Sequence, residues 1–405
     1  MSRSRIDIPS YFLPFFGMVA AIVPFAIDAY LPAIPTMAEQ FGVDTVSMNN
    51  TISIFLIGYG LGQFFGGPLS DQVGRKTIGL TGMLIFMAST IGIIFTETVE
   101  SLMVFRGIQA IGGGFTSVII MASMRDVYPA HEAGRKYAVV MMIMLVMPMI
   151  APFIGAYLLP FGWRMIFIAL LAFVLLAAVW YFFGLKETAH SLSGRVDIRR
   201  IADQFIEVVS RRTDEKMPVI AYVFAMSFNV GLLLAFVTNS SDIYQGYFGV
   251  DPKAFPFFFG ANTILMIGCI FYSMRMMKTV HPHTLFIRGN LIQLTCATLT
   301  LCYVLFFQPE LYVMFGLIIL CVGTMGLANP CASAVYISYY DELSGSATSF
   351  SSLILLFMGG LVGALVGFFK NDTLIPFAVS MFVCALVSNA ISLNMPKPQG
   401  HFKKE

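Results

Sequence analysis

About twelve apolar runs spread along the chain leave it few folds to adopt. Each is close to, or longer than, the roughly 20 residues that a helix needs to cross a hydrocarbon core. Their centres lie near Phe25, Gly60, Phe86, Gly112, Pro148, Phe173, Gly231, Met266, Thr298, Val322, Phe357 and Val383. No water inside a bilayer satisfies a backbone N–H or C=O group, so runs of this kind close their own hydrogen bonds as helices. Only 11% of the 405 residues are charged, against about 25% in soluble domains. The expected fold is an all-α polytopic membrane protein with twelve transmembrane helices in two six-helix bundles.

An even number of crossings puts both termini on one side, and the cations choose the side. With a cytoplasmic N-terminus, the inner segments take all but four of the 24 Lys and Arg residues. Arg164, Lys253 and Lys370 fall outside, and Arg106 lies within a helix. That bias places both termini in the cytoplasm. One inner segment is much longer than the rest, which divides the chain into residues 1–185, a linker at 186–216, and residues 217–405. Within the linker, Ile198, Ile201, Phe205 and Val208 recur at helical spacing with cations between them. The spacing predicts a short amphipathic helix on the inner membrane surface; a plain charged linker is the rival reading. The halves also resemble each other: AHEAGRKYA (Ala130–Ala138) and DELSGSATS (Asp341–Ser349) each set an acid before a glycine at the start of a helix.

Several functions are set aside. The net charge of +2 gives no reason to expect nucleic acid. The six cysteines sit in or beside apolar runs and read as packing residues. His281 and His283 are too few to hold a metal. No nucleophile–base set or phosphate loop occurs, so no enzyme chemistry and no cofactor is expected.

The first run, Phe12 to Pro35, carries a carboxylate, Asp28, near its middle. An Asp at that depth costs about 2.5–3.5 kcal/mol on insertion scales, so Asp28 needs a partner, water or a proton. Pro24 has no N–H for the carbonyl of Ala20, nor Pro32 for that of Asp28. Bare carbonyls and a carboxylate at one depth imply a wet or protein-lined cavity. A static ion pair locking helices together is the bland alternative. On the fourth run, Arg106, Gln109, Gly113 and Ser117 share one helical face. Arg106, the one cation deep in a run, is the expected partner of Asp28. Tyr30, Met144, Met147, Pro148 and Asn239 join Gln109, Gly113 and Ser117 as candidate cavity residues. Asp242 is expected to be in water or to line the outer mouth.

Between the second and third runs the chain reads Gly67-Pro-Leu-Ser-Asp71-Gln-Val-Gly74-Arg75-Lys76. This resembles the signature loop of the major facilitator superfamily. The resemblance implies that Asp71 and Arg75 form a latch on the inner gate, together with Gly67 and Gly74. It also puts Asp71 near the start of the eleventh helix, around Ser344 to Ala347. The corresponding loop of the second half, Arg275 to Thr284, lacks the pattern, so one latch is expected. The segment from Arg106 to Gly114 is similar to the family's fourth-helix motif, whose Arg is tied to proton coupling. Ala151, Pro152 and Gly155 resemble the antiporter motif of its fifth helix, with Ala where a Gly is usual. Asp28-Ala-Tyr30-Leu31-Pro32-Ala-Ile-Pro35 resembles the opening of Bcr/CflA-type drug:proton antiporters. The function implied is efflux of small, largely apolar compounds, driven by the proton gradient, by a monomer in a bacterial inner membrane. Asp28 and Arg106 would couple the proton. An exporter of one metabolite is the alternative, ahead of a proton-driven importer and a receptor.

Overall fold

The computed structural model describes residues 12–127, 130–184, 187, 198–213, 217–340, 343–369 and 373–396. The expected domain boundaries at 185–186 and 216, Asp341, Lys370 and both termini lie outside them. The described residues hold twelve helices long and apolar enough to cross a membrane. The first half contains Leu13–Phe41, Thr45–Val73, Arg75–Ile94, Val99–Met124, Val139–Phe161 and Arg164–Gly184. The second contains Ala221–Tyr247, Phe255–Met276, Pro282–Phe306, Leu311–Ile337, Gly345–Phe368 and Ile375–Asn394. All twelve expected centres fall inside these spans. Among the described residues, β pairing is limited to one bridge between Arg212 and Pro218. Large side chains such as Phe95, Phe183 and Phe306 are exposed, as on helices that lipid covers.

The halves meet where the second span packs on the eleventh and the fifth on the eighth. Apolar burial gives helices little reason to associate in lipid, so close packing must hold them. Glycines allow it: a Cβ on Gly60 would lie 3.4 Å from the carbonyl oxygen of Leu353, and one on Gly360 2.9 Å from that of Ser53. On the other side, Phe153 and Phe257 meet edge to face with ring centroids 4.9 Å apart.

The linker does form a helix, Ile198–Ser210. Its apolar side packs against protein. Val208 is fully buried, and the Tyr340 hydroxyl donates to its carbonyl at 2.8 Å. Phe205 stacks on Phe64 of the second span at 4.3 Å and approaches Phe350 of the eleventh at 6.0 Å. The helix therefore sits beneath the seam between the halves, a position that amphipathicity alone does not specify.

Candidate functional site

The first span is broken at its carboxylate. Helix runs over Phe12–Asp28, a turn follows, Leu31–Ala33 forms one 3₁₀ turn, and helix resumes over Ile34–Phe41. Pro32 and Pro35 explain the break, since neither can donate back into the preceding turn. The last turn of the first segment is left with open carbonyls. Arg106 fills one of them: its Nη1 donates to the Ala26 carbonyl at 3.1 Å and to Gln109 Oε1 at 2.8 Å. Gln109 Nε2 donates in turn to Thr90 Oγ1 at 2.7 Å. A cation suits the negative end of a helix. The guanidinium carbon also lies 4.5 Å from the ring centre of Tyr30 and 4.3 Å from that of Phe55. Tyr30 is held by a 3.0 Å bond between its hydroxyl and Thr51 Oγ1.

Asp28 is 4% exposed, and among the described residues its carboxylate makes no hydrogen bond and no ion pair. The expected Asp28–Arg106 pair is thus not formed. The charge of Arg106 is dispersed instead over a helix end, an amide and aromatic faces. Its Nε and Nη2 atoms have no hydrogen-bond partner.

The polar stripe of the fourth span is divided. Arg106 and Gln109 are fully buried inside the first bundle, and a Cβ on Gly113 would meet Val23 at 2.9 Å. Only Ser117 reaches open space, where it accepts from Gln63 Nε2 at 3.2 Å. Met144 and Met147 pack partly buried against the core. Of the eight expected cavity residues, Ser117 lines a cavity at the end expected to face the cytoplasm, the inner cavity, and Asn239 one at the end expected to face out, the outer cavity. Tyr30, Gln109, Gly113, Met144, Met147 and Pro148 line neither. Helical periodicity assigned them one face without saying what lies opposite.

The fifth helix, Ala130–Leu158, carries Pro148 and Pro152 within it, and Ala151 is fully buried. At Gly155 it meets the first span so closely that a Cβ would fall 1.6 Å from the carbonyl oxygen of Ala29. The fifth helix therefore rests on the backbone next to Asp28.

The two ends of the seam differ. At the end expected to face out, hydrogen bonds cross between the halves. Thr45 Oγ1 donates to Asp242 Oδ1 at 2.8 Å, Asn49 Nδ2 to Asn239 Oδ1 at 3.4 Å, and Gln245 Nε2 to the Leu31 carbonyl at 3.5 Å. Asp242 also lines the outer cavity, of about 440 Å³. At the inner end the second, fourth and eleventh spans enclose a cavity of about 320 Å³. Asp71 and Arg75 form an ion pair at its rim, and Arg75 Nη1 donates to Ser70 Oγ at 2.6 Å. Asp71, expected near Ser344 to Ala347, lines this cavity together with Gly345 and Ser346, and its side chain is 62% exposed. Gly74 has φ +119° and leaves room for Glu187, whose carboxylate accepts from the amides of Arg75 at 2.8 Å and Lys76 at 3.1 Å. Glu187 caps the third helix. Arg75 is buried and keeps its bond to Ser70, and a pair whose carboxylate stands in water adds only about 0–1 kcal/mol. Asp71→Asn is therefore expected to leave the melting temperature within about 2 °C of wild type while slowing transport several-fold, measurable by thermal unfolding and vesicle flux.

Sequence reasoning missed Thr45, Asn49, Gln63, Gln245 and Glu187. Asn49 and Gln63 carried the signal that marked Asp28, a polar group inside an apolar run. Glu187 carried none.

The sequence profile of the Major Facilitator Superfamily matches residues 16–364. A bicyclomycin resistance protein homolog of Haemophilus influenzae is 29% identical, over 93% of this chain and 94% of its own. Multidrug resistance protein MdtL of Vibrio parahaemolyticus is 24% identical over 93% of each chain. A solved D-xylose–proton symporter matches the fold with a TM-score of 0.74, over 96% of this chain and 99% of its own, at 13% identity.

Proposed function

The chain belongs to the major facilitator superfamily, and from that premise we propose that it is a proton-coupled multidrug exporter working by alternating access. The observation that carries this reading is the seam between the halves, tied across its outer end by Thr45–Asp242 and Asn49–Asn239, with a cavity of about 440 Å³ beside those ties and one of about 320 Å³ at its inner end. A carrier loading from the cytoplasm takes that form. The resistance named for its relatives from Haemophilus and Vibrio supports the direction and the drug-like cargo.

Asp28 carries the proton. An unpaired carboxylate buried at this depth is expensive, whereas a protonated one is not. Facing inward, Asp28 releases its proton as cargo binds; the halves rock; facing outward, a proton returns to Asp28 and cargo leaves. Arg106 holds the broken end of the first span, so that the turn bearing Asp28 keeps its place. One charge crossing ~100 mV supplies about 2.3 kcal/mol, roughly 50-fold accumulation. The protein acts as a monomer in a bacterial inner membrane with both termini cytoplasmic, and no bound cofactor takes part.

Proteoliposomes containing a pH-sensitive dye test this: adding cargo must release protons, and cargo-induced proton flux in the opposite sense would indicate an importer. The outer tie has its own test. In a background without native cysteines, Thr45→Cys with Asp242→Cys is expected to cross-link on oxidation and cut efflux more than 10-fold, with recovery on reduction. Full efflux from the cross-linked form would mean that this end does not open.

A further inference from the structure

We propose that the linker helix, Ile198–Ser210, docks on a phospholipid leaflet through an exposed face formed by Ala202, Ile206 and Val209. One residue turns a helix by about 100°, so these three lie within about 60° of one another. Ile206 is 64% exposed and Val209 43%. The face packed on protein, Phe205 and Val208, lies about a quarter turn to one side. Asp203 and Glu207, both exposed, lie about a third of a turn to the other. The helix therefore has three sides, and a division into protein and water leaves the middle one unmatched.

Depth identifies the third medium. The second span, Thr45–Val73, has 29 residues. At 1.5 Å per residue it is about 43 Å long and outreaches a hydrocarbon core of about 30 Å at both ends. Centred on that core, it places Phe64 about 7 Å from the midplane, five residues beyond its middle residue Tyr59. By the same measure Phe350 stands about 9 Å from the middle of its helix, Ser344–Phe368. Both fall short of the core boundary at about 15 Å. Phe205, with ring centroids 4.3 Å from Phe64 and 6.0 Å from Phe350, thus reaches to the depth of acyl chains. Phe64 also adjoins Phe65 at 5.1 Å, and Phe65 is 53% exposed on the flank of the second span. The apolar face of the linker helix therefore continues the surface that lipid covers.

Charge agrees with this placement. Arg199 and Arg212 stand exposed near the two ends of the helix, where a cation meets headgroup phosphate. The tethers of the helix say which half carries it. Tyr340 donates to the Val208 carbonyl at 2.8 Å, Arg211 Nε to the Tyr339 carbonyl at 3.2 Å, and Ser346 to Gln204 Oε1 at 3.1 Å, all from the second half or to it. The contact with the first half is a ring stack on Phe64, which slides more readily than a hydrogen bond breaks. When the halves rock, the helix travels with the second half and keeps its apolar face in the leaflet.

The test uses the full chain without native cysteines, carrying one nitroxide and reconstituted in vesicles of phosphatidylethanolamine and phosphatidylglycerol. Collision rates are measured with oxygen, which concentrates among acyl chains, and with a water-soluble nickel chelate. The oxygen-to-nickel ratio is expected to be about 10-fold higher for labels at Ile206→Cys and Val209→Cys than at Asp203→Cys and Glu207→Cys. Each variant is first matched to the unlabelled protein in melting temperature; should Ile206→Cys misfold, Val209→Cys decides. Equal ratios on the two sides would put the face in water and overturn the proposal. Slow collision with both reagents at Ile206→Cys would mean that a protein segment or a second copy covers the face, which overturns it too. Adding Val209→Asp to labelled Ile206→Cys is expected to lower the ratio several-fold while the melting temperature in detergent holds. An unchanged ratio would show that protein contacts alone set the depth of the helix, and the docking face would be discarded.

Discussion

Asp28→Asn is expected to yield a protein that inserts, folds and melts like wild type but accumulates nothing against a gradient. The two expectations have one cause. Asp28 has no hydrogen-bond or ion-pair partner among the described residues, so an isosteric amide costs no interaction there. The amide cannot carry a proton, however, so the roughly 50-fold accumulation that one charge supports at ~100 mV falls to equilibration. Reconstituted vesicles provide both measurements: the dye signal on adding cargo, and the final ratio of cargo across the membrane. Downhill exchange should persist, since the rocking of the halves does not need the charge. If the variant exports a neutral compound uphill at the normal rate, Asp28 is not the coupling group.

Gly155→Ala is expected to be the most damaging Gly→Ala substitution among the described residues. The added Cβ falls 1.6 Å from a backbone oxygen, that of Ala29, so no side-chain rotation relieves the clash. Overpacking of cores typically costs 1–3 kcal/mol, and a collision with backbone belongs at the upper end. The fifth helix must then retreat from the first span beside Asp28. We expect a fall of several degrees in melting temperature in detergent, together with loss of coupling. Gly162→Ala is the control, because that glycine has φ +100° but open space around its Cβ, so it reports backbone strain without collision. A Gly155→Ala protein with wild-type stability and efflux would show that the fifth helix moves freely over the first.

Much of the fold was legible because the forces that set it are local. The length of an apolar run, and the need of every buried amide for a hydrogen bond, determine a membrane helix before any partner is known. Likewise the prolines around Asp28 announce bare carbonyls in the first span, and Gly74 in the Asp71–Arg75 loop permits the positive φ of its turn. The linker helix followed from the spacing of Ile198, Ile201, Phe205 and Val208.

Partnership was decided only in three dimensions. Arg106 and Asp28 looked matched as the lone deep charges of the first half, yet Arg106 spends its donors on Ala26 and Gln109 and faces Tyr30 and Phe55. Which groups meet depends on how each helix is rotated and tilted against its neighbours. One residue turns a helix by about 100°, so a face read from periodicity has a direction within its own helix and none within the bundle. For the same reason Ser117 alone of its stripe reached a cavity, and Glu187 arrived at the third helix from more than a hundred residues away. The chain's composition settled that it crosses the membrane twelve times; the packing of those crossings settled where the first span rests, which end of the seam is tied, and which hydroxyls face the open space.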